Sequence, residues 1–191
     1  VFNEEKYIID TINSALSQTY DNLEIIISDN CSKDGTALKI HDLVNKFDHV
    51  DLTIQNKNIG AIENFNYVKK KAKGEFFMWL GGHDIISPDY VQECLEPFQN
   101  NDTLILVYSK AKYFPINTES TSNRDASIDL VTIGLNPLER AMKVLNPSIC
   151  TAIHGVFKMK GVESCFLENI PIGPDNGFLF ETSIKGEFYE V

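Results

Sequence analysis

An apolar run, Phe76-Phe77-Met78-Trp79-Leu80, stops at Gly81-Gly82 and presents His83 and Asp84. In open α/β sheets, ligands bind beyond the carboxyl ends of the strands. An imidazole and a carboxylate at such an end can ligate a metal or hold a substrate. The two glycines let the backbone approach a bulky ligand closely. An ordinary polar turn with both side chains solvated would use the same four residues. A second carboxylate, Asp29, ends another apolar run, Leu23-Glu24-Ile25-Ile26-Ile27-Ser28. There it can accept hydrogen bonds from a ligand, or it can cap the turn that follows.

These residues need strands and helices to position them, and the first half of the chain supplies both in alternation. Ile8, Ile12, Ala15 and Leu16 give a helical period over about 4–18. The β-branched run at 23–28 marks a strand buried on both faces. Asp34-Gly35 precedes a second helix, with Leu38, Leu43 and Val44 inward and Asp34 as its cap. A strand follows at 50–54, a helix at 61–72 after Asn58-Ile59-Gly60, and a strand at 76–80. Pro88 starts a helix that runs to about Phe98, and 104–108 is a further strand. This βαβ rhythm predicts an α/β fold, a Rossmann-like and mostly parallel sheet flanked by helices on both faces. The second half reads differently. Residues 117–136 are polar and weakly periodic, which suggests a loop. Helices are expected at 137–145 and 176–185, and strands at 153–157 and 188–191. One core and no internal repeat predict a single domain over 1–191.

The chain has 191 residues, enough for a substantial core. Its net charge of −10 argues against nonspecific nucleic-acid binding, which needs a basic face. The four cysteines, Cys31, Cys94, Cys150 and Cys165, form no CxxC pair. That argues against structural zinc and for reduced thiols in a cytoplasmic protein. No transmembrane-length run or signal peptide is visible. The chain opens at Val1 and closes in an apparent strand, so both ends read as cut. Membrane association, at the inner face, would then come through segments outside this chain.

Several motifs in order resemble glycosyltransferase family 2, enzymes of the GT-A fold that use nucleotide-sugar donors and usually invert. They are Phe2-Asn3-Glu4-Glu5, the stretch from Ser17 to Ile27, Asp29-Asn30-Cys31-Ser32-Lys33-Asp34-Gly35-Thr36, Asn58-x-Gly60, Ala72-Lys73-Gly74-Glu75-Phe76 and Gly173-Pro174-Asp175. The resemblance implies a nucleotide-sugar half over 1–110 and an acceptor-side half over 111–191. It places Asp29 against the uracil of a UDP-sugar. Asn3, Glu4, Lys57, Asn58, Gly60 and Asn64 would border the donor, together with Gly81 and Gly82. Each has a plainer reading: Asn3 and Glu4 as helix caps, Lys57 as a solvated cation. Glu63 stands where the family carries an arginine. Gly81 and His83 stand where it carries the aspartates of its Asp-x-Asp motif. His83 and Asp84 are therefore the candidate metal ligands, and imidazole favours Mn²⁺ over Mg²⁺. Asp175 matches the catalytic base, with helix capping as the alternative. His154 and Lys158 would line the acceptor site. The implied reaction moves a sugar onto a glycan or lipid-linked acceptor, in polysaccharide or cell-envelope synthesis. The altered Gly-Gly-His-Asp also admits a module that binds nucleotide or a partner without transfer.

Overall fold

A computed structural model describes residues 1–113, 124–126, 129–145 and 151–191. Residues 117–123, 127 and 128 of the loop expected at 117–136 lie outside the described residues, as does Cys150. The chain order begins α1 (Ile8–Leu16), β1 (Ile25–Asp29), α2 (Thr36–Val44), β2 (Val50–Ile54), α3 (Ala61–Lys71) and β3 (Phe76–Phe77). It continues with α4 (Tyr90–Leu95), a 3₁₀ turn (Glu96–Gln99), β4 (Leu104–Tyr108) and two short strands, β5 (Lys112–Tyr113) and β6 (Arg124–Asp125). The chain closes with α5 (Pro137–Val144), a 3₁₀ turn (Thr151–His154), β7 (Val156–Lys158), α6 (Met159–Val162), α7 (Pro174–Lys185) and β8 (Glu187–Glu190).

β1 and β2 pair in parallel. A four-stranded sheet runs β3-β7-β4-β8. β7 is antiparallel to both β3 and β4, while β4 and β8 are parallel. β3, β4 and β8 therefore point the same way, and β7 alone runs against them. β3 and β4 are joined through α4, the crossover that parallel strands require. β7 enters from the second half of the chain, so that rule does not fix its direction.

Local differences from the sequence reading have physical causes. α2 buries Thr36, Ile40 and Val44, one stripe of period four. Leu38 was expected inward but is off that stripe and 67% exposed. The strand expected at 76–80 pairs only at Phe76 and Phe77, because β7 offers partners to those two alone. Residues expected as strand at 153–154 instead form the last turn of a 3₁₀ helix.

α3 stitches the two halves together through polar atoms. Asn66 exchanges two hydrogen bonds with the Leu167 backbone, at 2.8 and 2.9 Å. Buried Lys69 donates to the Val162 carbonyl at 2.8 Å. Asn64 faces the other way. Its Nδ2 donates to the Ser28 carbonyl, and its Oδ1 accepts from the Ser28 hydroxyl, locking α3 to β1.

Candidate functional site

The first half of the site is a polar cup at the carboxyl end of β1. Asp29 is fully buried. Its carboxylate accepts from the Ser32 backbone N–H at 3.0 Å and from the Ser32 hydroxyl. Asn3 closes the turn from the other side: its N–H donates to Ser32 Oγ, and its Oδ1 accepts from the Lys33 N–H. Asn3 and Cys31 hold left-handed backbones, φ 56° and 61°. Asn30 reaches across, donating to Asn58 Oδ1 and the Gly60 carbonyl, both at 3.1 Å, and accepting from the Ile59 N–H. Gly60, at φ 89°, opens α3 in a conformation that suits glycine. Asn3, Asp29, Asn58 and Gly60 are thus gathered at one strand end, with Lys57 exposed at the rim. Asn64 is buried just behind, turned onto β1. Asp34 acts on the turn before α2, accepting from the Thr36 N–H at 3.0 Å and the Glu5 N–H at 3.2 Å.

The second half is built on Trp79. Its indole packs edge-on against Phe77 and Phe178, each with centroids 4.9 Å away, and its Nε1 donates to the Phe65 carbonyl. This fixes the backbone leading into Gly81-Gly82-His83-Asp84. His83 Nδ1 pairs with Glu4 Oε1 at 3.0 Å, but the ring is 61% exposed. A side chain on Gly82 would push against Glu4, and one on Gly81 would run into the Asp84 carboxylate. The two glycines therefore make room for those acids. Asp84 faces His154, with Oδ2 3.8 Å from Nε2. His154 Nδ1 lies 3.1 Å from the Trp79 carbonyl.

Asp175 sits in the first turn of α7. The helix N-cap is Gly173, at φ 89°, and makes no side-chain cap. The capping role expected as the alternative for Asp175 therefore falls to a different residue. Burial raises the Asp175 pKa above the ordinary carboxylate value, and the nearby His154 imidazole pulls it partly back. Asp84, His154 and Asp175 thus form one electrostatic group, joined from three distant segments. Lys158, expected beside the acceptor, reaches toward Asp102 at 3.8 Å.

Residues 1–166 match the model of Glycosyl transferase family 2. The chain belongs to that family. An uncharacterized glycosyltransferase of Rickettsia felis is 31% identical over 163 residues, which are 81% of this chain and 25% of the relative. The chain thus spans about a quarter of that relative's length. Among solved structures, S. aureus TarS 1–349 in complex with UDP-GlcNAc aligns with TM-score 0.77 at 16% identity, over 100% of this chain and 54% of that one. The mannosyltransferase PcManGT from Pyrobaculum calidifontis, in complex with GDP-Man and Mn²⁺, aligns with TM-score 0.66 at 16% identity, over 100% and 52%. The fold is GT-A.

For this family 2 domain, a cavity of about 890 Å³ has Glu4, Asn30, Asn58 and His83 in its lining. Apolar residues of β1 and β3 line it as well. Asp29, Asp84, His154 and Asp175 are absent from its wall. The polar cup and the acidic group, and not this apolar lining, have the chemistry to hold a charged donor. Among the described residues, no three His, Cys, Asp or Glu side chains converge as a closed metal cage. A nucleoside diphosphate brings oxygens of its own, and a divalent cation on phosphates needs only one or two protein ligands. The half-exposed Asp84 carboxylate fits that partial role, where the cation would offset the charge of the departing diphosphate. Sequence reading left His154 to the acceptor side. Seventy residues separate it from Asp84, and no spacing signals their meeting. Asn30 and Ser32, which shape the cup, were visible only as parts of a motif.

Among the described residues, no helix is long and apolar enough to cross a membrane.

Proposed function

We propose that this chain is the donor-binding and catalytic domain of an inverting glycosyltransferase that uses a UDP-sugar. The reading rests above all on Asp175: a half-buried carboxylate at a helix start, doing no capping work, with its proton affinity raised by burial. A general base works best when its pKa approaches the operating pH. In the proposed reaction, Asp175 takes the proton of an acceptor hydroxyl as that oxygen attacks the sugar carbon. The nucleotide leaves from the opposite face. Asp29, Asn3, Asn58 and Gly60 hold the nucleoside end of the donor, with Lys57 and Glu4 at the rim. Gly81 and Gly82 let the backbone come close to the sugar diphosphate. The UDP-GlcNAc complex of TarS, on the same fold, supports a uridine donor. The acceptor is a glycan or a lipid-linked glycan.

The experiment is Asp175→Asn. Asn keeps the shape but cannot take a proton. UDP affinity by calorimetry is expected to stay at the parent value, while transfer falls by about 10²–10⁴-fold. A variant that keeps most of its turnover overturns the base role. A parent that binds UDP yet transfers to no acceptor points to a binding module.

A further inference from the structure

We propose that the imidazole completing the metal site of this domain is His154, paired with Asp84, and that His83 stands outside it. The inference rests on the donor-site reading above. A backbone carbonyl can only accept a hydrogen bond. The 3.1 Å contact between His154 Nδ1 and the Trp79 carbonyl therefore puts the proton on Nδ1. In the neutral ring Nε2 then carries the lone pair, 3.8 Å from Asp84 Oδ2. The separation is longer than a hydrogen bond, and a divalent cation between the two would take the place of a proton on Nε2.

The spacing suits a shared ion. With metal–ligand bonds of about 2.1 Å, two ligands of one cation lie roughly 3–4 Å apart. The surroundings suit it too. Metal-binding histidines characteristically donate their other ring N–H to a carbonyl or carboxylate, which fixes the tautomer and aims the ring. Trp79 supplies that carbonyl, and Trp79 is itself clamped by Phe77 and Phe178. His83 also has an oriented ring, through Glu4, but it is 61% exposed, and the imidazole that the Asp84 carboxylate approaches is that of His154. Gly81 is part of the device, since any side chain there would displace the Asp84 carboxylate from its place opposite His154. An Asp84–His154 pair, completed by diphosphate oxygens, favours Mn²⁺ over Mg²⁺ because of its nitrogen ligand.

The test reads the metal directly. Free Mn²⁺ is titrated by electron paramagnetic resonance with and without UDP, on the parent, Asp84→Asn, His154→Asn and His83→Gln. His154→Asn retains an amide N–H for the Trp79 carbonyl and removes the Nε2 ligand, and circular dichroism confirms that each variant folds. Asp84→Asn and His154→Asn are expected to weaken Mn²⁺ at least tenfold, since even a supporting residue costs about 10–100-fold. His83→Gln is expected to match the parent. Pulsed spectra should carry imidazole nitrogen modulation in the parent and His83→Gln, and lose it in His154→Asn. Loss of that modulation in His83→Gln alone overturns the assignment, as does Mn²⁺ affinity indifferent to His154. If UDP binds equally with Mn²⁺ or EDTA, the metal site fails and the donor reading survives. If UDP does not bind at all, the donor reading fails, and the same ranking of variants with Mn²⁺ alone decides the pair.

Discussion

Asp29 combines two duties in one carboxylate. It is fully buried and already holds the Ser32 turn, yet it ends the strand beside which a uracil would lie. Replacing it with Ala removes both the ligand's acceptor and the clasp on Ser32. UDP affinity should fall by about 1.5–3 kcal/mol, the scale of a hydrogen bond to a charged group. Calorimetry on Asp29→Ala and Ser32→Ala separates the duties. If the clasp alone matters, the two variants weaken UDP equally; if Asp29 touches the base, Asp29→Ala is the weaker binder. Asp175 carries a different liability. Its folded-state pKa is raised above 3.8 because burial penalises the charge. Protonated Asp175 therefore suits the fold better than ionised Asp175. Its stabilising share is fully present below pH 3.8 and is lost as pH rises through the higher folded value. Asp175→Asn removes that loss. Its melting temperature should gain on the parent between pH 4 and pH 7, while the difference stays flat below pH 4. A constant difference across the whole range would deny that Asp175 is desolvated.

At the scale of elements, α3 decides how the donor cup stays in register with the rest of the sheet. Asn64, a candidate donor residue from the sequence, is instead buried and committed to Ser28 through both ends of its amide. Asn64→Ala would strand the Ser28 hydroxyl without that acceptor. The expected cost is about 1–3 kcal/mol of stability in a denaturant titration. An unchanged unfolding midpoint, with UDP binding lost, would return Asn64 to the ligand. The positions of β1, α2, β2, α3 and β4 were legible because hydrophobic period and turn residues agree there. The cup was legible for the same reason, since its residues belong to one contiguous motif after β1. The Asp84–His154 pair was not. Asp84 sits on a loop and His154 on a 3₁₀ turn seventy residues later, held to the Trp79 carbonyl by its Nδ1. β3 was overcalled because Met78, Trp79 and Leu80 are as apolar as a strand, yet the ladder stops at Phe77 and Trp79 turns its carbonyl to a side chain. Leu38 misled because an apolar residue on a short helix says nothing of which stripe is buried until the helix start is fixed.

At the scale of the whole molecule, one cavity is lined both by β1, from the β1–β2 pair, and by β3, from the β3-β7-β4-β8 sheet. Val1 makes one parallel rung on the β1 edge. Its amino group donates to the Ser28 carbonyl at 2.7 Å, and its own carbonyl accepts from the Asn30 N–H at 2.8 Å. Residues 28 and 30 therefore present their backbone groups toward the cavity. By strand alternation residue 26 does the same, while 25, 27 and 29 face β2. The bonds from Ile25 to the His49 carbonyl and from Gln55 to the Asp29 carbonyl agree with that alternation. Backbone groups in a closed sheet are paired, and an edge with unpaired donors opens to solvent at little cost. Native-state hydrogen exchange should then split β1 in two. The Ile27 and Asp29 amides, in the β2 ladder, exchange slowly, and the Ile26 and Ser28 amides, facing the cavity, exchange far faster. Asn30, held by Val1, falls between. Should Ile26 and Ser28 prove as protected as Ile27 and Asp29, a strand must fill the cavity in solution. Ultracentrifugation would then tell whether that strand comes from a second copy of the chain.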